Sequence, residues 1–236
     1  MVAPNKTEKK TIIFIAGGNG AGKSTLARAL TAFYSDLGVQ CALYDADDYS
    51  PSLLRFYPSA QRVSATTGGL AAIWNHATPV AIVDLGANFI HSLRDFDTQT
   101  GLITRSSAHR IVICYALAPN VASVALLKLL TDHVGRRATY VIARCDSMPG
   151  TWDFWDASKT RQLALNKLRG EEIHIPALDA DAYSRLDRFG VSWPNSVSDD
   201  RIGLGCACLV LGWHQRVFSE FTKSRLLSVA GPRSST

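Results

Sequence analysis

Thr11-Ile-Ile-Phe-Ile-Ala-Gly17-Gly-Asn-Gly-Ala-Gly-Lys23-Ser-Thr25 decides how the rest of the chain is read. Its first half is a β-branched and aromatic run, the composition of a strand buried on both faces, and it ends at adjacent glycines. Beyond them, Ser24 to Tyr34 sets Leu26, Leu30 and Phe33 on one side of a helix. Gly17 to Ser24 therefore satisfies G-x-x-x-x-G-K-[ST] between strand and helix, the context that this P-loop motif requires. Gly17, Gly18, Gly20 and Gly22 let the backbone close around a polyphosphate, with the N–H groups of Asn19, Ala21 and the helix start turned to its oxygens. Lys23, expected to face solvent in the empty loop, supplies a compact cation for the β- and γ-phosphates. The Ser24 hydroxyl, with Thr25 beside it, is placed for Mg²⁺. A plain Gly-rich turn needs neither side chain at these offsets.

Outward from this unit, apolar strands alternate with helical or mixed segments. Strands are predicted at Val39–Tyr44, Val80–Val83, Ile111–Tyr115, Thr139–Ala143 and Glu172–Ile175, with helices at Val121–His133 and about Asp200–Phe221. This order predicts an α/β fold: a three-layer, doubly wound, mostly parallel sheet of the P-loop NTPase kind, with ligand at the carboxyl ends of the strands. Residues 11–221 form one domain in this reading, between basic tails at 1–10 and 222–236 that are expected to be disordered or flexible.

Acids fall where such a site needs them. Asp45-Ala-Asp47-Asp48 follows the second strand, and Asp84 ends the strand Val80–Val83. Asp45 and Asp47, two apart, are expected to face the phosphates together, one near the metal and one orienting the attacking water; Asp84 is expected to hold Mg²⁺ with Ser24. A solvated acidic turn at 45–48 and a turn or helix-capping aspartate at 84 are the alternatives. Asp146 is a candidate for reading a base or simply a turn residue, and Trp152-Asp-Phe-Trp155 is either a stacking surface or padding under a loop. The six histidines show no metal-ligand spacing.

The P-loop, then Leu43-Tyr-Asp-Ala-Asp-Asp48, then Ala81-Ile-Val-Asp-Leu-Gly86, resembles the ParA/MinD-like P-loop ATPases. Ile111 to Asn120 and Ile173 to Leu178 extend the resemblance, and Val83-Asp-Leu-Gly-Ala-Asn88 with the Trp-containing last helix is similar to plasmid- and conjugation-associated TraL-type proteins. The resemblance implies a cytoplasmic Mg-ATP switch that hydrolyses ATP, with a homodimer and a plasmid or conjugation partner as the interactions to expect. It departs at Gly18, where those proteins carry a second lysine that reaches the phosphates of the partner subunit in the dimer. Gly18 to Thr25 also resembles the loop of zeta-toxin-like kinases. In that reading Asp45 or Asp47 deprotonates a substrate hydroxyl while Arg136, Arg137 and Arg144 close over the phosphates. A third reading is an adaptor that binds ATP with little turnover.

Composition excludes other classes. With 47% apolar and 19% charged residues the chain is too hydrophobic to be disordered. Its net charge of +5 resides in the tails: residues 1–10 carry +2, residues 222–236 carry +3, and residues 11–221 balance. Nucleic-acid binding is therefore not indicated beyond those tails. Five cysteines without a CxxC pair read as reduced, buried small residues, residues 1–10 lack the apolar core of a secretory signal, and no apolar run is long enough to span a membrane. In the last helix, Ile202, Cys206, Leu209, Trp213, Val217 and Phe221 are expected to form the buried stripe, capped by Ser198 with Asp199 and Asp200. Leu204, Cys208 and Leu211 make a second row.

Overall fold

The computed structural model describes residues 9–228 apart from 49, 65, 88, 106, 107 and 147; Asn88 of the quoted motif and the outer parts of both tails lie outside the described residues. Seven parallel strands form one sheet in the order β3-β2-β4-β1-β5-β6-β7. They are β1 (Thr11–Gly17), β2 (Cys41–Ala46), β3 (Gln61–Arg62), β4 (Val80–Leu85), β5 (Arg110–Leu117), β6 (Thr139–Cys145) and β7 (Glu171–Ile175). β1 is buried at every position and lies between β4 and β5, so its apolar run has no polar face. Ile13 and Ile15 enter one core, Ile12, Phe14 and Ala16 the other, as the two-residue period of a strand requires.

Helices cover both faces. α1 (Lys23–Asp36) contributes Leu26, Leu30 and Phe33 to the first core. α2 (Ser52–Phe56) and α3 (Thr67–Ile73), with β3 between them, make up the segment from Asp47 to Thr78 that showed no clear period in sequence. α4 (Phe89–Thr100) and α5 (Val121–Val134) close the second core. Two short turns, α6 (Asp153–Asp156) and α7 (Lys159–Arg161), precede β7, and α8 (Ala180–Phe189) and α9 (Leu204–Lys223) complete the chain. Trp155 is buried, with its indole N–H donating to Glu172 at 2.6 Å, while Phe154 is exposed.

The last helix departs from its sequence reading. Gly203 at φ 77° leaves the helix to start at Leu204, and Asp199 turns back to accept from the Arg201 guanidinium. Ala207, Val210, Trp213, Val217 and Phe221 form the buried stripe of the helix; of the expected row, Ile202 is buried in the same core ahead of the helix and Cys206 packs against it half-buried, while Leu209 is 50% exposed. Leu204 and Leu211 are also exposed, as is Cys208. Trp213 packs edge-on against Trp193 with centroids 4.3 Å apart, and its N–H donates to the Pro176 carbonyl at 2.7 Å.

Residues 222–228 are not a free tail. Leu227 is buried, its carbonyl accepts from the Tyr34 hydroxyl at 2.7 Å, and the Leu226 carbonyl accepts from the Arg110 guanidinium at 2.7 Å. The apolar pair Leu226-Leu227 fixes a segment whose small and basic neighbours suggested mobility. Truncation after Arg225 is expected to lower unfolding stability by about 2–4 kcal/mol, from one buried leucine and two hydrogen bonds. Trp213→Ala is expected to lose about 3–5 kcal/mol to the cavity that it leaves. Denaturant melts of both variants against the parent check these values.

Candidate functional site

β1 delivers the loop and α1 receives it. Gly17 stands at φ 151°, where an added Cβ would meet the Ala116 carbonyl oxygen at 2.5 Å, so this position takes no side chain. Gly22 occupies the left-handed region at φ 89° and starts α1 with no side-chain cap, leaving the first N–H groups of the helix for a ligand. Ala21 is buried, while Asn19, Gly20, Gly22, Lys23, Ser24 and Thr25 line a cleft of about 1130 Å³ above the loop.

Lys23 is not solvent-facing as expected. It is 8% exposed, and its ammonium donates to the Gly18 carbonyl at 2.9 Å, holding the loop in its curved form. Burial lowers its pKa, opposed by the negative charges of Asp84 and Asp47.

The parallel register sets the acids. Asp84 pairs with Asp45 on one side and with Ile15 on the other, so both carboxylates stand at the edge where β1 becomes the loop. Asp84 is 1% exposed, and burial drives its pKa up to about 7; the nearby Ser24 hydroxyl favours the charged form and the Asp45 charge disfavours it. Among the described residues neither Asp84 oxygen completes a well-formed hydrogen bond. A buried carboxylate beside a half-buried hydroxyl is a ligand set that suits a small hard cation.

Asp45 departs from its expected role. It is fully buried, one oxygen accepts from the Asp47 N–H at 3.1 Å and the other from the Leu54 N–H at 2.9 Å. Asp45 thus ties the end of β2 to α2, and it does not line the cleft. Asp47 does line it, because β2 ends at Ala46 and the chain turns there. Its carboxylate accepts from the Ser50 N–H at 3.0 Å, and Gly86 packs so tightly that an added Cβ would lie 3.3 Å from the Asp47 Cα.

The arginines divide. Arg136 and Arg137 form the turn before β6, level with the Arg110–Thr11 pair at the amino ends of the strands, about 20 Å of strand from the P-loop. They cannot close over phosphates held there. Arg144 does reach the carboxyl edge, but it bridges Asp156 at 3.6 Å and Glu172 at 3.5 Å and lies over the Trp152 ring at 4.5 Å. Asp146 pairs with His174 at 2.6 Å.

The far wall of the cleft was not read from sequence. Ser50, Ser52 and Arg55 from the α2 region face Tyr183, Ser184 and Asp187 on α8, with Arg55 and Asp187 bridged at 3.3 Å. Beneath lies Arg28, 2% exposed, donating to the Ser24 carbonyl at 3.2 Å and set 4.0 Å from the Phe56 centroid. Arg28 follows Ser24 by one helical turn, the single local signal; α8 lies far along the chain and had none.

Fold and loop together define a P-loop nucleotide-binding protein. The family model described as Zeta toxin matches residues 2–125, more than half of the chain. The chain belongs to that family. It is also 45% identical over 42 residues to the bifunctional alpha-galactosidase/sucrose kinase AgaSK of Mediterraneibacter gnavus, a match spanning 18% of this chain and only 4% of that protein. Among solved structures, the MinD cell division protein of Aquifex aeolicus shares 15% identity at a TM-score of 0.49, covering 95% of this chain and 100% of that one. A nucleotide-binding protein from Archaeoglobus fulgidus in complex with ADP shares 16% identity at 0.49, covering 83% and 91%. Among the described residues no helix is long and apolar enough to cross a membrane.

Asp84 also generates a stability prediction. A carboxyl whose pKa is higher folded than unfolded contributes stability below about pH 4, where both states are neutral, and loses it as pH rises toward 7. Asp84→Asn is therefore expected to stabilise the ligand-free protein by about 1–3 kcal/mol at pH 8 and by much less near pH 4. Thermal melts across that range check the sign.

Proposed function

We propose that this chain is an ATP-dependent phosphotransferase acting on a small hydroxyl-bearing acceptor. The observation that carries the reading is the cleft: P-loop, Lys23 and Asp47 open into one space that continues beyond the loop to the hydroxyl-bearing walls of the α2 region and α8. Family membership supports it, as does Gly18 standing where a switch dimer would need lysine.

In this mechanism the loop N–H groups and Lys23 hold the triphosphate. The acceptor hydroxyl oxygen attacks the γ-phosphorus, the bond to the β–γ bridging oxygen breaks, and ADP leaves. Asp47 accepts the hydroxyl proton. Asp45 positions Asp47 through the hydrogen bond to its N–H. Ser24 and Asp84 are the residues that would hold Mg²⁺, which when bound supplies charge neutralisation on the β- and γ-oxygens.

A second reading is the ParA/MinD-like switch, in which water replaces the acceptor at the same Asp47 and the setting is plasmid maintenance or transfer. The exposed Leu204, Cys208 and Leu211 row on α9 favours it as a face for a second copy or partner protein.

ADP formation measured with and without a panel of sugars and other small alcohols separates the two. The phosphotransferase turns over only with acceptor, whereas acceptor-independent turnover with ATP-dependent self-association belongs to the switch. Asp47→Asn is expected to keep ATP binding within about threefold and to slow turnover by about 100-fold or more, because proton transfer matters in the transition state. Turnover at the parent rate would remove Asp47 from the mechanism.

A further inference from the structure

At the pole opposite the P-loop, a groove of about 710 Å³ is lined by Lys9, His109, Arg110, Arg136, Arg137 and Arg225. The cations come from four separate segments: the entry to β1, the start of β5, the turn before β6 and the stretch after α9. Among the described residues no carboxylate lines the groove and none of these cations joins an ion pair. Arg110 is held in place, its guanidinium donating to the Leu226 carbonyl and its N–H to the Lys10 carbonyl. Like charges gathered this way repel one another, a cost that a bound anion would offset.

Two histidines pack together at this edge. His76, behind the groove, packs against His109 with centroids 5.4 Å apart. Burial, His109 and Lys10 together bring its pKa down to about 4. His109 is lowered as well, by burial and then by Lys10, and among the described residues its buried Nδ1 has no hydrogen-bond partner. Thr11, Thr139 and Ser228 add hydroxyls to the lining, and among the described residues no aromatic side chain other than the imidazole lines it to stack on a base.

We propose that this groove is a second anion site that takes a short oligophosphate, either free or as the phosphate tail of a nucleotide. An oligophosphate concentrates several charges and many acceptor oxygens in a volume of this size, and guanidinium groups meet such oxygens two at a time. The lining recognises the phosphate chain and ignores a base. The site is independent of the reaction at the P-loop.

Calorimetric titration with tripolyphosphate tests it, using Lys23→Ala to silence the P-loop and Arg136→Ala/Arg137→Ala to silence the groove. The parent is expected to bind two equivalents and each variant one, with groove affinity falling about tenfold or more in the double arginine variant. Exposed Arg136 and Arg137 are removable without touching the core, and Arg225→Ala, from a different segment, must weaken the same site. In Lys23→Ala, ATP matching tripolyphosphate within about threefold shows that the chain of phosphates alone is read. A single equivalent in the parent, unchanged by the arginine substitutions, overturns the proposal. So does a DNA duplex or an anionic vesicle that binds the groove without competition from tripolyphosphate.

Discussion

The parallel pairing that sets Asp45 opposite Asp84, and Asp84 opposite Ile15, is the constraint on which the nucleotide edge depends. A slip of one residue in any of these strands would reverse which face each side chain enters and would carry Asp84 away from the loop. The register is held by burial: Ile13 and Ile15 fill one core while Ile12 and Phe14 fill the other, so a slipped β1 loses contacts on both sides. The same pairing brings Ala116 beneath Gly17, which is why the loop must begin with a residue lacking Cβ.

Around that edge the chain holds charged groups in states that burial opposes. Lys23 is folded onto the Gly18 carbonyl with its ammonium disfavoured, and Asp84 is buried, with no well-formed hydrogen bond among the described residues. Each is the kind of group that a bound polyphosphate or cation satisfies, so ligand binding and local stability are linked here. At the opposite pole the described residues gather cations from four segments with no ion pair among them. Lys10 and Leu226, in the described parts of the two basic ends, are tied there, Lys10 donating to the His76 carbonyl and the Leu226 carbonyl accepting from Arg110.

Much of this was legible in the sequence because it depended on local spacing. The strand, the glycines and the Lys23-Ser24 pair lie within fifteen residues, Thr11 to Thr25, and the central strands are continuous apolar runs. The parts that misread depend on distant contacts. Asp45 and Asp47 look equivalent two residues apart, but β2 ends between them and Leu54 captures the first. Leu209 and Val210 are adjacent apolar residues, and only the docking of α9 selects Val210 for the core. Arg136 and Arg137 lie near the nucleotide edge in sequence, since β6 leads from them to it, yet the strand carries them to the far pole. The α8 wall of the cleft has no local motif; it is assembled by tertiary packing alone.

The most direct test of the account is calorimetric titration of Mg-ATP into the parent and into Lys23→Ala, alongside a thermal melt of both. The P-loop reading predicts that Lys23→Ala keeps a cooperative melt and loses at least about tenfold in ATP affinity, because a charge-assisted contact to phosphate is removed. Equal affinity in the two proteins, with both folded, would contradict it.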